Sequence, residues 1–335
     1  MTGFIDLADI TRRFTSTPPL TERLAKRLTG SKASSTVVHA VEGVSLAVAK
    51  GETLGLVGES GCGKSTLGRV AAGILKATSG NAHIAGEAVM SGGRKHTTRI
   101  QMVFQDPFAS LNPRMRVGDT IAEGPLAHKL VTKAESGQDV ARWLVAVGLD
   151  AAAAQRFPHQ FSGGQRQRVA IARALAMRPD ALVCDEPVAS LDVSIQAQII
   201  NLFLQLRRDL HLTMLFISHD LSVVRHVSDR VAIMYLGRIV ETGRTEDIFQ
   251  SPRHPYTRAL LDSAPRLAED GAPAHDIRPI RGELPSPIHP PPGCAFHQRC
   301  AFAQARCKQE LPVLRDAGTA REVACHFPLS GAQGP

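Results

Sequence analysis

The run Gly58-Glu59-Ser60-Gly61-Cys62-Gly63-Lys64-Ser65-Thr66 constrains this chain more than any other feature. It fits the phosphate-cradling pattern G-x-x-x-x-G-K-[ST]. The apolar run 53–57 before it reads as a short buried strand, and residues 65–72 after it read as a helix. Strand, glycine loop and helix together turn backbone N–H groups and the positive end of a helix dipole onto one polyphosphate. In that pattern Lys64 reaches the β- and γ-phosphates and Ser65 holds Mg²⁺. The chain is therefore expected to bind ATP or GTP.

The rest of the sequence narrows the class. Its 335 residues, 43% of them apolar, suffice for one large domain with an appendage, or for two domains. Aromatics are only 4%, so aliphatic packing must dominate. The net charge of +8 permits a basic face toward anionic lipid or nucleic acid without choosing between them. No run approaches the roughly 18–20 apolar residues of a membrane span. The start lacks a basic segment followed by an apolar one, so no signal peptide is expected. These features point to a cytosolic chain whose membrane role, if any, is peripheral. In such a reducing compartment the six cysteines are not expected to form disulfides.

Residues 4–57 alternate polar and apolar positions, with strand-like patches at 5–10, 37–41 and 44–48. The interval 12–35 carries Arg12, Arg13, Arg23, Lys26, Arg27 and Lys32 against Glu22. It reads either as a solvated loop or as a basic insertion facing lipid headgroups or a membrane-protein partner. Residues 107–180 look mostly helical, with an amphipathic run at 140–147 that stops at Gly148 and another run at 171–177. Runs 181–184 and 213–218 read as buried parallel strands flanking a helix at 195–209. Strands alternating with helices imply an α/β fold with a parallel sheet. From about 251 proline-rich segments mark a loop-rich C-terminal extension.

Four further elements follow the phosphate loop. Gln105 ends the apolar run 101–104, Asp185 and Glu186 end the run 181–184, and His219 follows 216–218. A carboxylate at 185 can bind Mg²⁺ through water, and one at 186 can polarise an attacking water. Each alone is equally a surface glutamine, a strand-ending loop or a structural histidine. The deciding element is Phe161-Ser162-Gly163-Gly164-Gln165-Arg166-Gln167-Arg168. Two glycines after a serine, opening a helix, make a second anion-binding helix terminus. A single nucleotide site has no use for two of these, unless one serves a second molecule.

On these residues the sequence resembles the ATP-binding cassette (ABC) ATPases, whose signature is usually LSGGQ; Phe161 stands in place of the leucine. Ser190-Leu191-Asp192 matches the family's D-loop. The likeness is closest to the ATPase subunits of bacterial dipeptide, oligopeptide and nickel importers. It rests on Gly58–Gly63, Phe104-Gln105-Asp106-Pro107, Ser110-Leu111-Asn112-Pro113, Met234-Tyr235-Leu236-Gly237, His254-Pro255-Tyr256-Thr257, Gly282-Glu283-Leu284-Pro285-Ser286-Pro287 and Pro292-Gly293-Cys294.

The resemblance implies an ABC-type P-loop ATPase core over residues 1–250. That core comprises a parallel sheet with helices, an antiparallel β subdomain and a helical subdomain at about 107–180. A small extension over 251–335 follows. It also implies a head-to-tail dimer with two sandwiched ATP molecules. Gly58, Glu59, Ser60, Gly61, Cys62, Gly63, Lys64, Ser65 and Thr66 of one subunit would hold the phosphates. Ser162, Gly163, Gly164 and Gln165 would face the γ-phosphate held by the other. Ser65, Gln105 and Asp185 would attend Mg²⁺, Glu186 would position or deprotonate water, and His219 would contact the γ-phosphate. Phe14 is the candidate to stack on adenine, with Val38 as the alternative.

Implied partners are a second ATPase subunit, two permease subunits and a solute-binding protein, with no nucleic acid. The implied location is the cytoplasmic face of the inner membrane. Nickel-chelate import, or a cytosolic complex such as one degrading phosphonates, remain alternatives. The tail's Cys294, Cys300, Cys307 and Cys325 fit an iron–sulfur cluster, zinc or free thiols; the resemblance favours a [4Fe–4S] cluster. Lone Cys62 and Cys184 read as packing residues.

Overall fold

A computed structural model describes residues 3–16, 36–263, 280, 282–318 and 320–330. Arg23, Lys26, Arg27 and Lys32 of the basic interval lie outside the described residues. Strand β1 (Ile5–Ser16) pairs antiparallel with β2 (Thr36–Val48). Then come β3 (Thr53–Val57), the phosphate loop and helix α1 (Lys64–Ala71). With β4 (Ser79–Ile84) and β5 (Glu87–Ala88), the first two strands make a four-stranded sheet ordered β2-β1-β4-β5. A small ribbon, β6 (Met90–Ser91) with β7 (Arg94–Lys95), leads into β8 (Ile100–Val103).

Helices α2 (Val117–Ala127), α3 (Ser136–Ala146) and α4 (Gly163–Ala176) intervene before β9 (Ala181–Asp185). Next are α5 (Val193–Leu210), β10 (Thr213–Ile217), α6 (Leu221–Val227), β11 (Arg230–Tyr235), β12 (Arg238–Arg244), α7 (Thr245–Gln250) and α8 (Pro255–Asp262). The tail contributes α9 (Ala305–Gln309), β13 (Arg315–Asp316) and β14 (Glu322–Val323).

The main sheet runs β13-β14-β12-β11-β3-β10-β9-β8. Its five strands from β11 to β8 are parallel, while β12, β14 and β13 are antiparallel additions. Strands β3, β9 and β10 are buried along their whole length. Continuous apolar runs suit strands covered on both faces, which is why these three were readable without alternation. Open α/β sheets bind ligands beyond the carboxyl ends of their parallel strands. The phosphate loop, His219, Glu186 and Gln105 leave those ends of β3, β10, β9 and β8, four neighbouring strands.

The patches at 37–41 and 44–48 are one strand rather than two. The partner β1 absorbs the irregularity through ladder shifts between Leu7 and Arg13, with Asp9 at φ 51°. Gly43, at φ 63°, turns the middle of β2. The helices around Trp143, Val169 and Leu175 pack on one face of the main sheet. The antiparallel sheet packs through Ile5, Leu7 and Ile84 around α1.

The C-terminal extension docks on the core. β14 adds to β12 in the register Glu241↔Val323 and Thr242↔Glu322. Beneath that edge Arg321 Nε donates to Glu241 Oε1 at 3.0 Å, and Glu241 is fully buried. The same carboxylate accepts the backbone N–H groups of Arg253 (2.8 Å) and His254 (2.9 Å). Tyr235, Tyr256 and Phe296 meet with ring centroids 4.6–5.3 Å apart and join strand, helix and tail in a third cluster. Among the described residues no helix is long and apolar enough to cross a membrane.

Candidate active site

The phosphate loop needs its glycines for space as well as torsion. A Cβ on Gly58 would sit 2.2 Å from the carbonyl oxygen of Met234, and one on Gly63 would sit 2.2 Å from that of Ala40. Gly61 and Gly63 also have φ of 79° and 108°, where side chains are strained. Buried Lys64 donates to the carbonyls of Gly58 (2.8 Å) and Glu59 (3.0 Å), so its ammonium lies within the loop it serves. Ser65 Oγ donates to Asp185 Oδ1 at 2.7 Å. Burial raises the Asp185 carboxyl above the usual range, and the Ser65 bond opposes that. A divalent cation between these two groups would relieve the same buried charge.

Glu186 begins the turn after β9 at φ 45°, a conformation uncommon outside glycine, and its N–H donates to Ile217 O at 2.9 Å. Gln105 Nε2 and His219 Nδ1 both lie 3.1 Å from Glu186 Oε2. Residues from β8, β9 and β10 thus converge on a single carboxylate oxygen.

Ser162 caps α4 in a capping box. Its N–H donates to Gln165 Oε1 at 3.0 Å, and Gln165 N–H donates to Ser162 Oγ at 3.3 Å. The second signature glycine has a packing reason, since a Cβ on Gly164 would come 2.5 Å from Ile195 Cγ2. Gly163 meets only Leu191 Cδ2, at 3.4 Å. Among the described residues of this one chain, the signature is not among the groups bonded to the phosphate loop.

Phe14 and Val38, the two adenine candidates, are direct partners on one rung of the β1–β2 ladder. Ala40, two residues along β2, is the residue against Gly63. Phe14 is partly exposed, with the Arg12 guanidinium 4.4 Å from its ring centroid. The His39 N–H donates to Pro287 O at 2.9 Å, so the tail crosses β2 beside this rung.

Two neighbours of the loop are not legible in the sequence. Tyr256 OH accepts the Glu59 N–H at 2.9 Å, and Arg299 Nη1 donates to Glu59 Oε1 (2.9 Å) and Oε2 (3.0 Å). The available signal was the His254–Thr257 motif, which marked the family without indicating a contact.

Cys294, Cys300, Cys307 and Cys325 line one narrow cavity with Phe296, Phe302 and Phe327. Burial lifts Cys325 to about 11, and the three other thiols add to that shift. Burial also raises Cys294 and Cys300. Among the described residues no group of three His, Cys, Asp or Glu is arranged to hold a metal ion. Cys62 and Cys184 are buried, with their thiols pushed up by desolvation.

Known proteins match both parts of the chain. The ABC transporter family model matches residues 41–189, and the model for the oligopeptide/dipeptide transporter C-terminal region matches 240–307. The oligopeptide transport ATP-binding protein AppF of Bacillus subtilis is 46% identical over 328 residues, covering 96% of this chain and 97% of that protein. The di/tripeptide transport ATP-binding protein DppF of Pseudomonas aeruginosa is 49% identical, covering 86% and 90%. The oligopeptide transport ATP-binding protein OppF of Escherichia coli is 49% identical, covering 83% and 84%. Among solved structures, cbiO1 of Clostridium perfringens, part of an ABC transporter complex, aligns with TM-score 0.59 and 26% identity over 74% of this chain and 91% of that one. A post-hydrolysis ATP-binding cassette dimer bound to ADP and Pi aligns at 0.58 and 25%, over 72% and 98%. At this identity and coverage, the chain belongs to the ATP-binding subunits of oligopeptide and dipeptide ABC transporters.

Proposed function

We propose that this chain is the ATP-hydrolysing subunit that powers peptide uptake through a membrane ABC importer. The observation that supports it most is the convergence of Gln105, Glu186 and His219 beside the Ser65–Asp185 pair at the mouth of the phosphate loop. Phosphoryl transfer is catalysed mainly by positioning and charge stabilisation, and these residues supply both. Lys64 leaves its carbonyls for the β- and γ-phosphates. Ser65, Asp185 and Gln105 are the residues that would hold Mg²⁺, which neutralises charge building on the phosphates. Glu186 orients an attacking water, and His219 steers the carboxylate and meets the γ-phosphate.

The signature of a second subunit completes the site. The α4 capping box uses the amides of Ser162 and Gln165. The Gly163 and Gly164 amides have no acceptor inside the helix and suit a γ-phosphate presented from across a dimer. Two permease subunits and a periplasmic or extracellular solute-binding protein complete the importer, with this subunit peripheral at the cytoplasmic face of the membrane. The four tail cysteines line one apolar cavity without standing in a metal-binding arrangement, and the proposal extends to a [4Fe–4S] cluster that would draw them together. Such a cluster would serve as a staple for a small, loop-rich unit. Iron and sulfide in anaerobically purified protein support this; stoichiometric zinc or metal-free thiols reject it.

The test of function is the assembled complex with its own binding protein. Peptide-loaded binding protein is expected to stimulate ATP hydrolysis and drive peptide accumulation in vesicles. Stimulation by nickel chelates alone, or copurification with a cytosolic enzyme complex instead of permeases, would replace the reading.

A further inference from the structure

Glu59 is the first variable residue of the phosphate loop, and it is held at every polar group it has. Its carbonyl accepts Lys64 Nζ at 3.0 Å. Its N–H goes to Tyr256 OH at 2.9 Å, and both carboxylate oxygens take Arg299 Nη1 at 2.9 and 3.0 Å. Both outside partners come from beyond residue 250. Arg299 lies between Cys294 and Cys300, and only 6% of its side chain is exposed. It is further anchored by Tyr235 OH at 3.4 Å, within the Tyr235–Tyr256–Phe296 cluster. The tail touches the nucleotide side a second time, through Pro287 O and the His39 N–H.

We infer that Arg299 and Tyr256 are positioning residues for ATP binding: the C-terminal extension holds the phosphate loop in its binding-competent shape from outside the cassette core. This rests on the loop being an ATP site. The physical reason is preorganisation. A loop with glycines at φ 79° and 108° has many alternatives, and each alternative lowers the competent fraction and hence apparent affinity. Pinning Glu59 at N–H and carboxylate removes those alternatives before ATP arrives. It also fixes the carbonyl from which Lys64 is suspended. A largely desolvated guanidinium–carboxylate contact is strong enough for this, whereas an exposed pair would contribute little. Neither tail residue reaches Glu186, so the effect falls on nucleotide affinity rather than on the chemical step.

The experiment is equilibrium titration of the full chain with a fluorescent ATP analogue and Mg²⁺. It compares wild type, Arg299→Ala, Arg299→Lys, Glu59→Gln and the Glu59→Gln/Arg299→Ala double variant. Thermal melting without nucleotide is followed in parallel. Arg299→Ala is expected to weaken binding about tenfold, which corresponds to about 1.4 kcal/mol. Arg299→Lys should recover part of that loss. The double variant should bind no worse than the weaker single, because both remove one contact. Wild-type affinity in Arg299→Ala, or additive losses in the double variant, overturns the inference while leaving the ATP site intact. If Arg299→Ala does not fold, Glu59→Gln decides, because it leaves Arg299 and the tail in place: undiminished affinity there overturns it equally. Failure of the wild-type chain itself to bind the analogue would instead sink the ATP-site reading.

Discussion

The ATP site and the C-terminal extension hold their polar groups in opposite ways. At the ATP site the contacts are exchangeable. Gln105 and His219 share one oxygen of Glu186, Lys64 rests on backbone carbonyls, and Ser65 rests on Asp185. In the proposed cycle nucleotide, metal and water would each take over one of these partners. Where the extension meets the core the contacts are permanent. Glu241 has no exposure, and it is surrounded by the Arg321 guanidinium and two backbone N–H groups. Removing either partner leaves a buried charge alone. The region that does chemistry keeps its charges paired loosely enough to change hands; the region that anchors the tail does not.

The largest expected effect lies on the exchangeable side. Glu186→Gln keeps the shape but removes the carboxylate, and should lower ATP turnover by about 10²–10⁴-fold with nucleotide binding and melting unchanged. Hydrolysis by the assembled complex and equilibrium binding check it; turnover near wild type would break the comparison at its catalytic end. On the permanent side, Arg321→Met should cost about 3–5 kcal/mol in chemical denaturation, because Glu241 is then stranded. Adding Glu241→Met should restore much of that. A loss below about 1 kcal/mol would place the pair with ordinary surface bridges.

His254 gives a smaller effect with a definite sign. Burial lowers it from 6.5 to about 3, and its Nδ1 accepts the Tyr256 N–H at 3.0 Å, so it is neutral when folded. The unfolded chain binds a proton below pH 6.5 that the folded chain refuses until about pH 3. This contribution is therefore complete above pH 6.5 and lost as pH falls. The loss should amount to about 2 kcal/mol by pH 5 and be missing from the pH–stability curve of His254→Asn. Smallest is Gly164→Ala, whose new methyl meets Ile195 Cγ2 at 2.5 Å. Since Ile195 is only partly buried it can yield, which puts the cost at the low end of about 1–3 kcal/mol.

The same contrast decides what could be read from sequence. The phosphate loop, the Asp185–Glu186 pair and the signature are contiguous, so their spacing already encodes their geometry. Buried strands β3, β9 and β10 appear as unbroken apolar runs for the same reason. Arg299 and Glu59 are 240 positions apart, and Arg321 and Glu241 are 80 apart. Pairs at that separation leave no periodic trace. The choice between Phe14 and Val38 is open in the sequence because the adjacent insertion hides the register, and in the structure the two share one rung. The continuity of β2 was hidden because its irregularity is absorbed by the partner strand.

The tyrosine cluster has a practical consequence. The chain has two tyrosines, and both stand in the joint between tail and phosphate loop. Its single tryptophan, Trp143, sits among the helices. The protein thus carries two native optical reporters at separate addresses. Tyrosine absorbance follows the tail's grip on the loop, and tryptophan emission follows the helical unit. A stopped-flow trace on unlabelled protein can time the two against each other as ATP arrives.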